Sequence, residues 1–455
     1  MIVIELLIFL STVLPIFHLF NALLTHRKKQ ECTPCPEKPF SVLIPCYNEE
    51  DTVRSSLKGL LSMDYKCYEA LYINDGSTDN TLGTLHGLLN LIQVTRPAGC
   101  PPGVNAVYRS KRHPHIRVID QCNGGKSEAL NAAIQLARAD LVVTLDADSV
   151  LDKNALPQMN RAFEDGDLVA AGGAIHIMQG YDPSNLKASS GRTRAALISL
   201  QILEYLKGFY LYKLSLSKQH ATAIISGAFG VFRRNILFEI GGFRKTLGED
   251  IDITMRIQQL IRKTGHKILY LPEALCYTQC PENWHDLVHQ RLRWQKGFVD
   301  CAHYHRRFLL RTFLCCSLSF HFFVEALIVG LCSCLFTLFT YVFAAALAVG
   351  DPHTLTTFLM YFAFCLIFNL IYSLSAFVVS ARYNHYPKQM VGKAVAAILL
   401  DILFYRYFTL FMYLGGTLLY FCNHTGNSRW NKVARTKCEC LAATYKGGCD
   451  GQAAG

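Results

Sequence analysis

The segment LVVTLDAD, residues 141–148, decides the fold of this chain. Five residues suited to a buried strand lead directly into Asp146-Ala147-Asp148. In α/β proteins, ligands bind at the carboxyl edge of parallel strands. Two carboxylates there could hold one divalent cation, Mg²⁺ or Mn²⁺, which in turn holds a diphosphate. The alternative is a solvated loop after a strand, and the triplet alone does not exclude it.

Strand-like and helix-like segments alternate around this triplet. The apolar patterns predict strands at 40–45, 69–73, 116–120, 141–145, 168–177 and 268–271. They predict helices at 52–62, 77–91, 127–137, 196–215, 251–264 and 284–298, whereas the Pro, Gly and basic residues of 94–115 predict a loop. This alternation predicts an α/β domain with a doubly wound, mostly parallel sheet over residues 38–300.

Apolar residues outside this domain form long runs. The chain has 455 residues, of which 51% are hydrophobic and 17% charged. The apolar runs are 1–24, 313–350, 355–380 and 394–422, and each is long enough to cross a bilayer, which takes about 20 helical residues. We therefore expect an N-terminal transmembrane helix (1–25), interfacial and transmembrane helices (301–422) and a polar C-terminal tail (423–455).

Basic residues next to these runs predict their orientation. The cluster 26–29 predicts that the amino end lies outside and the α/β domain in the cytosol, as in an integral protein of the plasma or inner membrane. A basic loop at 381–393 implies four crossings and an outside tail, yet the tail is itself basic, and both placements stay open. Glu325, Asp401 and Arg406 lie inside apolar runs. At least one is expected to face a channel through the membrane, unless all three lie at headgroup depth.

Charge and cysteine content narrow the class of protein. The net charge of +11 fits an enzyme that faces anionic lipid and handles a nucleotide. Nucleic acid is not an expected partner, because the chain carries no nucleic-acid-binding motif. The 18 cysteines are expected to be reduced, since most of the chain is predicted to be cytosolic.

Two further candidates follow predicted strands. Asp75 closes the second strand, where its carboxylate could accept the imide N–H of uracil, or could simply begin a turn with Gly76. In Asn123-Gly124-Gly125-Lys126 the glycines permit a close backbone approach, and Lys126 offers a charge to a phosphate. A plain strand-to-helix turn would have the same sequence.

The last two candidates lie on predicted helices. Glu249-Asp250-Ile251-Asp252 opens a helix whose dipole would keep a carboxylate there ionised, as a general base requires, although acidic residues also cap helices. In Gln290-x-x-Arg293-Trp294, Arg293 could bind a diphosphate and Trp294 could stack on a sugar ring. A basic helix lying on lipid headgroups is the alternative.

Taken in order, these motifs resemble those of the processive family 2 glycosyltransferases, which include cellulose, chitin, hyaluronan and poly-N-acetylglucosamine synthases. The resemblance covers about residues 38–300. The matching motifs are Ser41–Glu49 with Pro45, Asp75-Gly76-Ser77, Asp146-Ala147-Asp148, Glu249-Asp250 and Gln290-x-x-Arg293-Trp294. The string EDIDIT, residues 249–254, looks most like the poly-β-1,6-N-acetylglucosamine synthases.

The resemblance implies a GT-A-type fold, a UDP-sugar donor and specific roles for the matching residues. Asp250, with Glu249 beside it, would be the catalytic base, and Asp148 with Asp146 would bind the metal. The acceptor side would be formed by Ser226, Gly227, Ala228 and Trp294. The donor would contact Pro45, Tyr47, Glu49, Asp75, Lys126, Asp146, Gln290, Arg293 and Trp294.

The expected function is that of a metal-dependent, inverting β-glycosyltransferase. It would polymerise a UDP-sugar, most simply UDP-N-acetylglucosamine, and pass the polysaccharide across the membrane. Its partners would be the growing polysaccharide, the lipid bilayer and an accessory membrane or export subunit. Three alternatives stay open: addition of a single sugar to a lipid acceptor, a hyaluronan- or cellulose-type synthase with another donor, and an inactive sugar-nucleotide-binding subunit.

Overall fold

The computed structural model describes residues 2–25, 35–97, 99–181, 191–323, 330 and 352–422. A single ten-stranded sheet forms its centre, in the order β3-β4-β5-β2-β1-β6-β9-β8-β10-β7. In chain order the strands are β1 (Phe40–Cys46), β2 (Tyr68–Asp75), β3 (Leu91–Val94), β4 (Val104–Ser110), β5 (Ile116–Gln121), β6 (Leu141–Leu145), β7 (Ser149–Leu151), β8 (Leu168–Ile177), β9 (Phe229–Arg233) and β10 (Lys267–Thr278).

Helices cover both faces of the sheet and continue beyond it. They are α1 (Ile2–Leu23), α2 (Val53–Leu61), α3 (Thr81–Leu89), α4 (Lys126–Leu136), α5 (Ala155–Ala162), α6 (Arg192–Leu206), α7 (Leu214–Lys218), α8 (Arg234–Glu239), α9 (Glu249–Thr264), α10 (Trp284–Tyr304), α11 (Arg306–Arg311), α12 (Ser317–His321), α13 (Pro352–Ser380), α14 (Lys388–Leu400) and α15 (Arg406–Cys422). Two π-helical segments, Lys207–Lys213 and Asp401–Tyr405, join α6 to α7 and α14 to α15.

The central strands explain why the sheet is wound on both faces. β5, β2, β1 and β6 are parallel neighbours. Within β1, Val42 and Ile44 pack into an apolar layer with α2, while Leu43 packs into a second layer with α4. A strand buried on both faces reads as a continuous apolar run, so the predicted parallel core is confirmed.

The flanks of the sheet differ from the prediction. Residues 94–115, predicted as a loop, contain β4, which pairs antiparallel with β3 and β5. β4 buries only Val104, Val107 and Ser110, so it lacks the period-two apolar pattern by which a strand is recognised in a sequence. β10 is also much longer than predicted, because it pairs with β8 along its length through an irregularity between Leu271 and Leu275.

The apolar runs are helical where the structure describes them. Of the described residues, one helical stretch, Lys388–Cys422, is long and apolar enough to cross a membrane, and only 28% of its most apolar part is buried. Two shorter apolar helical stretches lie within α1 and α13: Val13–Leu23 and Leu366–Ser380. Most of the run 313–350 and the tail 423–455 lie outside the described residues. The membrane helix expected in that run and the polar tail therefore stay predictions.

One charged residue within these runs has a clear partner. Asp401 is buried and forms an ion pair with Lys207 at 2.6 Å, which connects the C-terminal apolar helices to the helical segment between α6 and α7. Arg406 is exposed, and Glu325 lies outside the described residues. The expectation that one of the three faces a sugar channel stays a prediction.

Candidate active site

The carboxyl ends of β2 and β5 meet in a hydrogen-bonded turn. Asp75 is 2% exposed, and its Oδ1 accepts hydrogen bonds from Gln121 Nε2 (2.7 Å) and Gly124 N (2.9 Å). Its Oδ2 accepts one from Gly125 N at 2.8 Å. Three of the roughly four acceptor positions of the carboxylate are therefore used by the protein. Asp75 first of all holds the glycine turn in place, and its predicted contact with uracil stays a prediction.

The loop after β1 is fixed to the same edge. Asn48 has a φ of 56°, and its Oδ1 accepts a hydrogen bond from Thr78 N at 2.7 Å. Glu49 is buried and accepts a hydrogen bond from the Thr52 hydroxyl at 2.5 Å. Pro45 is buried within β1 and Tyr47 is half-buried. This loop lies at the edge of the sheet where the nucleotide is predicted to bind, and the donor contacts of Pro45, Tyr47 and Glu49 stay predictions.

Lys126 connects two of the predicted acidic motifs. It is the first residue of α4, and its Nζ lies 2.8 Å from Asp146 Oδ1 and 2.9 Å from Glu249 Oε1. The Lys126 side chain is only 10% exposed. Burial alone would lower the pKa of Lys126, but the two carboxylates outweigh it and raise this pKa above its ordinary value. The ammonium therefore stays charged and holds the Asp-Ala-Asp triplet next to the start of α9.

Asp148 is more deeply placed than Asp146. Its side chain is buried, and its Oδ1 accepts hydrogen bonds from Ser149 Oγ (3.0 Å) and Thr278 Oγ1 (3.4 Å). Hydroxyls that orient a carboxylate in this way are typical of the groups that surround metal ligands. Within the described ranges, no group of three His, Cys, Asp or Glu side chains is arranged to hold a metal ion. Asp146 and Asp148 would thus need oxygens from a ligand or from water.

Asp250 lies in the first turn of α9, beside a second acidic residue. Burial and the neighbouring Glu249 raise the pKa of the Asp250 carboxyl, and Lys126, Lys213 and the Gly227 N–H only partly oppose this. These surroundings act against the helix dipole, and the predicted ionised state of a carboxylate at this helix start stays a prediction. A raised pKa brings a carboxylate closer to the value that suits a general base at neutral pH.

The predicted acceptor segment packs directly against these groups. Gly227 N donates to Asp250 Oδ2 at 3.3 Å. A Cβ at position 227 would lie 2.9 Å from Lys126 Nζ and 3.4 Å from Glu249 Oε1. Only glycine fits there without movement. The structure thus brings together Lys126, Asp146, Glu249, Asp250 and Gly227, from four separate motifs.

Helix α10 approaches this group through a pair of glycines. A Cβ on Gly248 would lie 2.9 Å from the carbonyl oxygen of Gly297, and a Cβ on Gly297 would lie 2.8 Å from Gly248 N. The backbones of α10 and the start of α9 are therefore in direct contact. Trp294 lies one helical turn before Gly297, and its side chain is 40% exposed. The predicted sugar-stacking role requires an exposed indole, and Trp294 provides one on the helix that contacts the start of α9.

Sequence reasoning missed the buried arginine of this helix. Arg291 forms an ion pair with Glu204 Oε2 at 2.7 Å and donates to Gln290 Oε1 at 2.6 Å. Its guanidinium also lies 4.2 Å from the centre of the Trp294 ring. Arg291 and Trp294 are three residues apart, so they share one helix face, and this spacing was the available signal. Arg291 fixes Gln290 and Trp294, whereas Arg293 is half-buried and its diphosphate contact stays a prediction.

Comparisons with known proteins agree with this geometry. The fold matches that of a mannosyltransferase from Pyrobaculum calidifontis, solved with GDP-mannose and Mn²⁺, with a TM-score of 0.57 and 17% sequence identity. The match covers 89% of this chain and 98% of that one. The domain is therefore of the GT-A type, as the sequence predicted.

The family follows from the sequence. The model of "Glycosyltransferase like family 2" matches residues 36–297, and the chain belongs to this family. Poly-β-1,6-N-acetyl-D-glucosamine synthases of Staphylococcus aureus strain MSSA476 and Staphylococcus epidermidis are 29% and 30% identical to it over 262 and 259 residues. Each match covers 56% of this chain and 53% or 54% of the synthase, so the chain spans about half the length of these relatives.

Proposed function

We propose that this protein is an inverting, membrane-embedded β-glycosyltransferase that extends a polysaccharide from UDP-N-acetylglucosamine. The observation that carries the proposal is the Lys126 bridge between Asp146 and Glu249, with Gly227 against Asp250. It joins the proposed donor-binding, base and acceptor motifs in one site. The similarity to poly-N-acetylglucosamine synthases supports the choice of donor.

In this proposal, Asp250 takes the proton of an acceptor hydroxyl. The hydroxyl oxygen forms a bond to the anomeric carbon of the donor from the face opposite UDP, and the bond from that carbon to the diphosphate breaks. Glu249 and Lys126 hold Asp250 in place, and Trp294 supports the acceptor ring. General-base catalysis of this kind contributes roughly 10²- to 10⁴-fold in rate.

A divalent cation, Mg²⁺ or Mn²⁺, fits the donor side. Asp146 and Asp148 are hard oxygen ligands, and Mg²⁺ is commonly held by one or two carboxylates together with substrate phosphates. The hydroxyls of Ser149 and Thr278 already orient Asp148. When bound, the cation would act as a Lewis acid that neutralises the leaving diphosphate.

The membrane part of the proposal rests on the described apolar helices. Large apolar side chains on them are exposed, among them Leu399 at 65%, Phe404 at 67% and Leu418 at 63%. Lipid would cover such surfaces. The proposal also includes passage of the product across the bilayer and an accessory membrane or export subunit.

The test uses the full chain in nanodiscs with radiolabelled UDP-sugars and Mg²⁺ or Mn²⁺. We expect polymer from UDP-N-acetylglucosamine that a specific hydrolase digests. Asp250→Asn should lose at least 10²-fold in transfer and keep its affinity for UDP. A product of one added sugar would contradict polymerisation, and normal activity of Asp250→Asn would contradict the assignment of the base.

A further inference from the structure

A cavity of about 230 Å³ lies behind the segment that precedes β9. Its walls come from the end of the π-helical segment with α7, residues 221–226, strands β8 and β10, and helices α10 and α12 with the residue that follows α12. The lining residues with polar side-chain groups are Tyr212, Lys213, Thr222, Ser226, Tyr270 and His321. The rest of the lining is mostly apolar and aromatic.

Three polar groups of the wall lack hydrogen-bond partners among the described residues. The half-buried Lys213 ammonium lies 4.3 Å from the centre of the Phe209 ring, with no described acceptor within bonding distance. The hydroxyls of Thr222 and Tyr270 are buried and equally without a described partner. Buried polar groups are almost always satisfied, so the two hydroxyls indicate a ligand with polar atoms of its own, and Lys213 offers that ligand a charged donor.

The position of Lys213 results from an unusual backbone. Lys213 is the last residue of the π-helical segment Lys207–Lys213. Segments of this kind cost stability and occur frequently at functional sites. Here the segment places a charged side chain among apolar neighbours, where burial lowers the pKa of Lys213 to about 8 despite the attraction of Asp250.

The cavity borders the proposed base. Ser226 lies in its wall, and the next residue, Gly227, donates to Asp250. Elsewhere in the wall, Phe298 stacks on Phe322 at 4.7 Å between ring centres. Phe298 follows Trp294 by one helical turn, so an aromatic surface runs from the proposed acceptor site into the cavity.

We infer that this cavity binds an N-acetylated sugar of the acceptor chain, with Lys213 donating a hydrogen bond to the amide carbonyl oxygen. The inference rests on the proposed function. The aromatic walls offer flat apolar faces to the sugar ring, as in other carbohydrate contacts, and the apolar wall accepts the acetyl methyl group. A sugar acid is disfavoured, because Glu249 and Asp250 add negative charge nearby.

The test measures equilibrium binding of two tetrasaccharides to the full chain in nanodiscs with UDP present. One is β-linked N-acetylglucosamine and the other is its fully deacetylated form. Wild-type protein should bind the acetylated sugar at least tenfold more tightly. Lys213→Met should remove this preference by weakening only the acetylated sugar, and Lys213→Arg should retain part of it.

Lys218→Met is the matched control, because Lys218 is an exposed lysine at the end of α7, five residues after Lys213. It should bind both sugars as wild type does, and UDP affinity should be equal in all variants, which shows that they are folded. Unchanged acetylated-sugar affinity in Lys213→Met would overturn the inference, as would tighter binding of a uronic-acid-containing tetrasaccharide. Turnover of UDP-sugars is a separate readout, so loss of turnover with intact sugar discrimination would contradict only the proposed function.

Discussion

Two lysines near Asp250 have opposite surroundings. Lys126, on the proposed donor side, contacts the carboxylates of Asp146 and Glu249, whereas Lys213, on the cavity side, lies over the Phe209 ring and has no described hydrogen-bond acceptor. The pKa of Lys126 is raised and that of Lys213 is lowered. The donor side is thus satisfied by the protein itself, and the cavity side is left for a ligand to satisfy.

The strongest test of this contrast is Lys126→Met. Removing one partner of a buried ion pair leaves uncompensated charge and costs about 3–5 kcal/mol. Asp146 is 30% exposed, so we expect a loss near the lower limit, about 3 kcal/mol, in denaturant unfolding. Lys245→Met is the control, because its pair with Glu128 is exposed and should contribute less than about 1 kcal/mol. Equal effects of the two variants would contradict the bridge.

Asp75→Asn tests the second satisfied group on the donor side. The asparagine amide would face one of the donors that now bond to the carboxylate, and a buried unsatisfied donor costs about 1–3 kcal/mol. Thermal unfolding should show this loss. Asp167→Asn, at an exposed position, should leave stability unchanged. If Asp75→Asn also leaves the unfolding temperature unchanged, the glycine turn does not depend on Asp75.

The pH profile of transfer tests the raised pKa of Asp250. A base must be ionised, so activity should be present above the folded-state pKa and fall about tenfold per pH unit below it. Because burial and Glu249 raise this pKa, the decline should begin above the ordinary range of aspartate. Initial rates of UDP release at saturating donor would show it. A decline only near pH 4 would contradict the assignment.

The smallest expected effect is a gain in stability. Lys213→Met removes a charge that has no described partner, and burying a polar group without a hydrogen bond costs about 1 kcal/mol at the low end of the measured range. The variant should therefore unfold at a higher temperature than wild type while it loses sugar preference. Lys218→Met should show no such gain. Destabilisation by Lys213→Met would mean that Lys213 supports the fold.

The parallel core could be predicted because strands buried on both faces have continuous apolar sequences. The acids at the strand ends followed from that prediction. The sequence could not distinguish Asp250 from Asp252, two acids in one helical turn. Although burial opposes it, the His305 hydrogen bond and the nearby arginines lower the pKa of Asp252 to about 2. Such differences depend on residues distant in sequence.

Dependence on residues distant in sequence also explains why the contacts of Arg291 and Lys213 were not predicted. Gln-Arg-Leu-Arg-Trp offers two arginines, and only the fold shows that Arg291 meets Glu204, 87 positions away. Lys213 lay within a predicted apolar helix, with no local sign of the cavity beside it. Motif order predicted which segments meet, but not which of their polar groups are already paired.

The contact between Gly248 and Gly297 has a practical consequence for engineering. Since backbone meets backbone there, the contact between the start of the helix that carries Asp250 and the helix that carries Trp294 leaves no room for a side chain at either glycine. In the proposed function, substitutions at Trp294 or Phe298 should alter the accepted sugar while this contact keeps Asp250 in place. Redesign of acceptor choice is best directed to those aromatic positions, with both glycines left untouched.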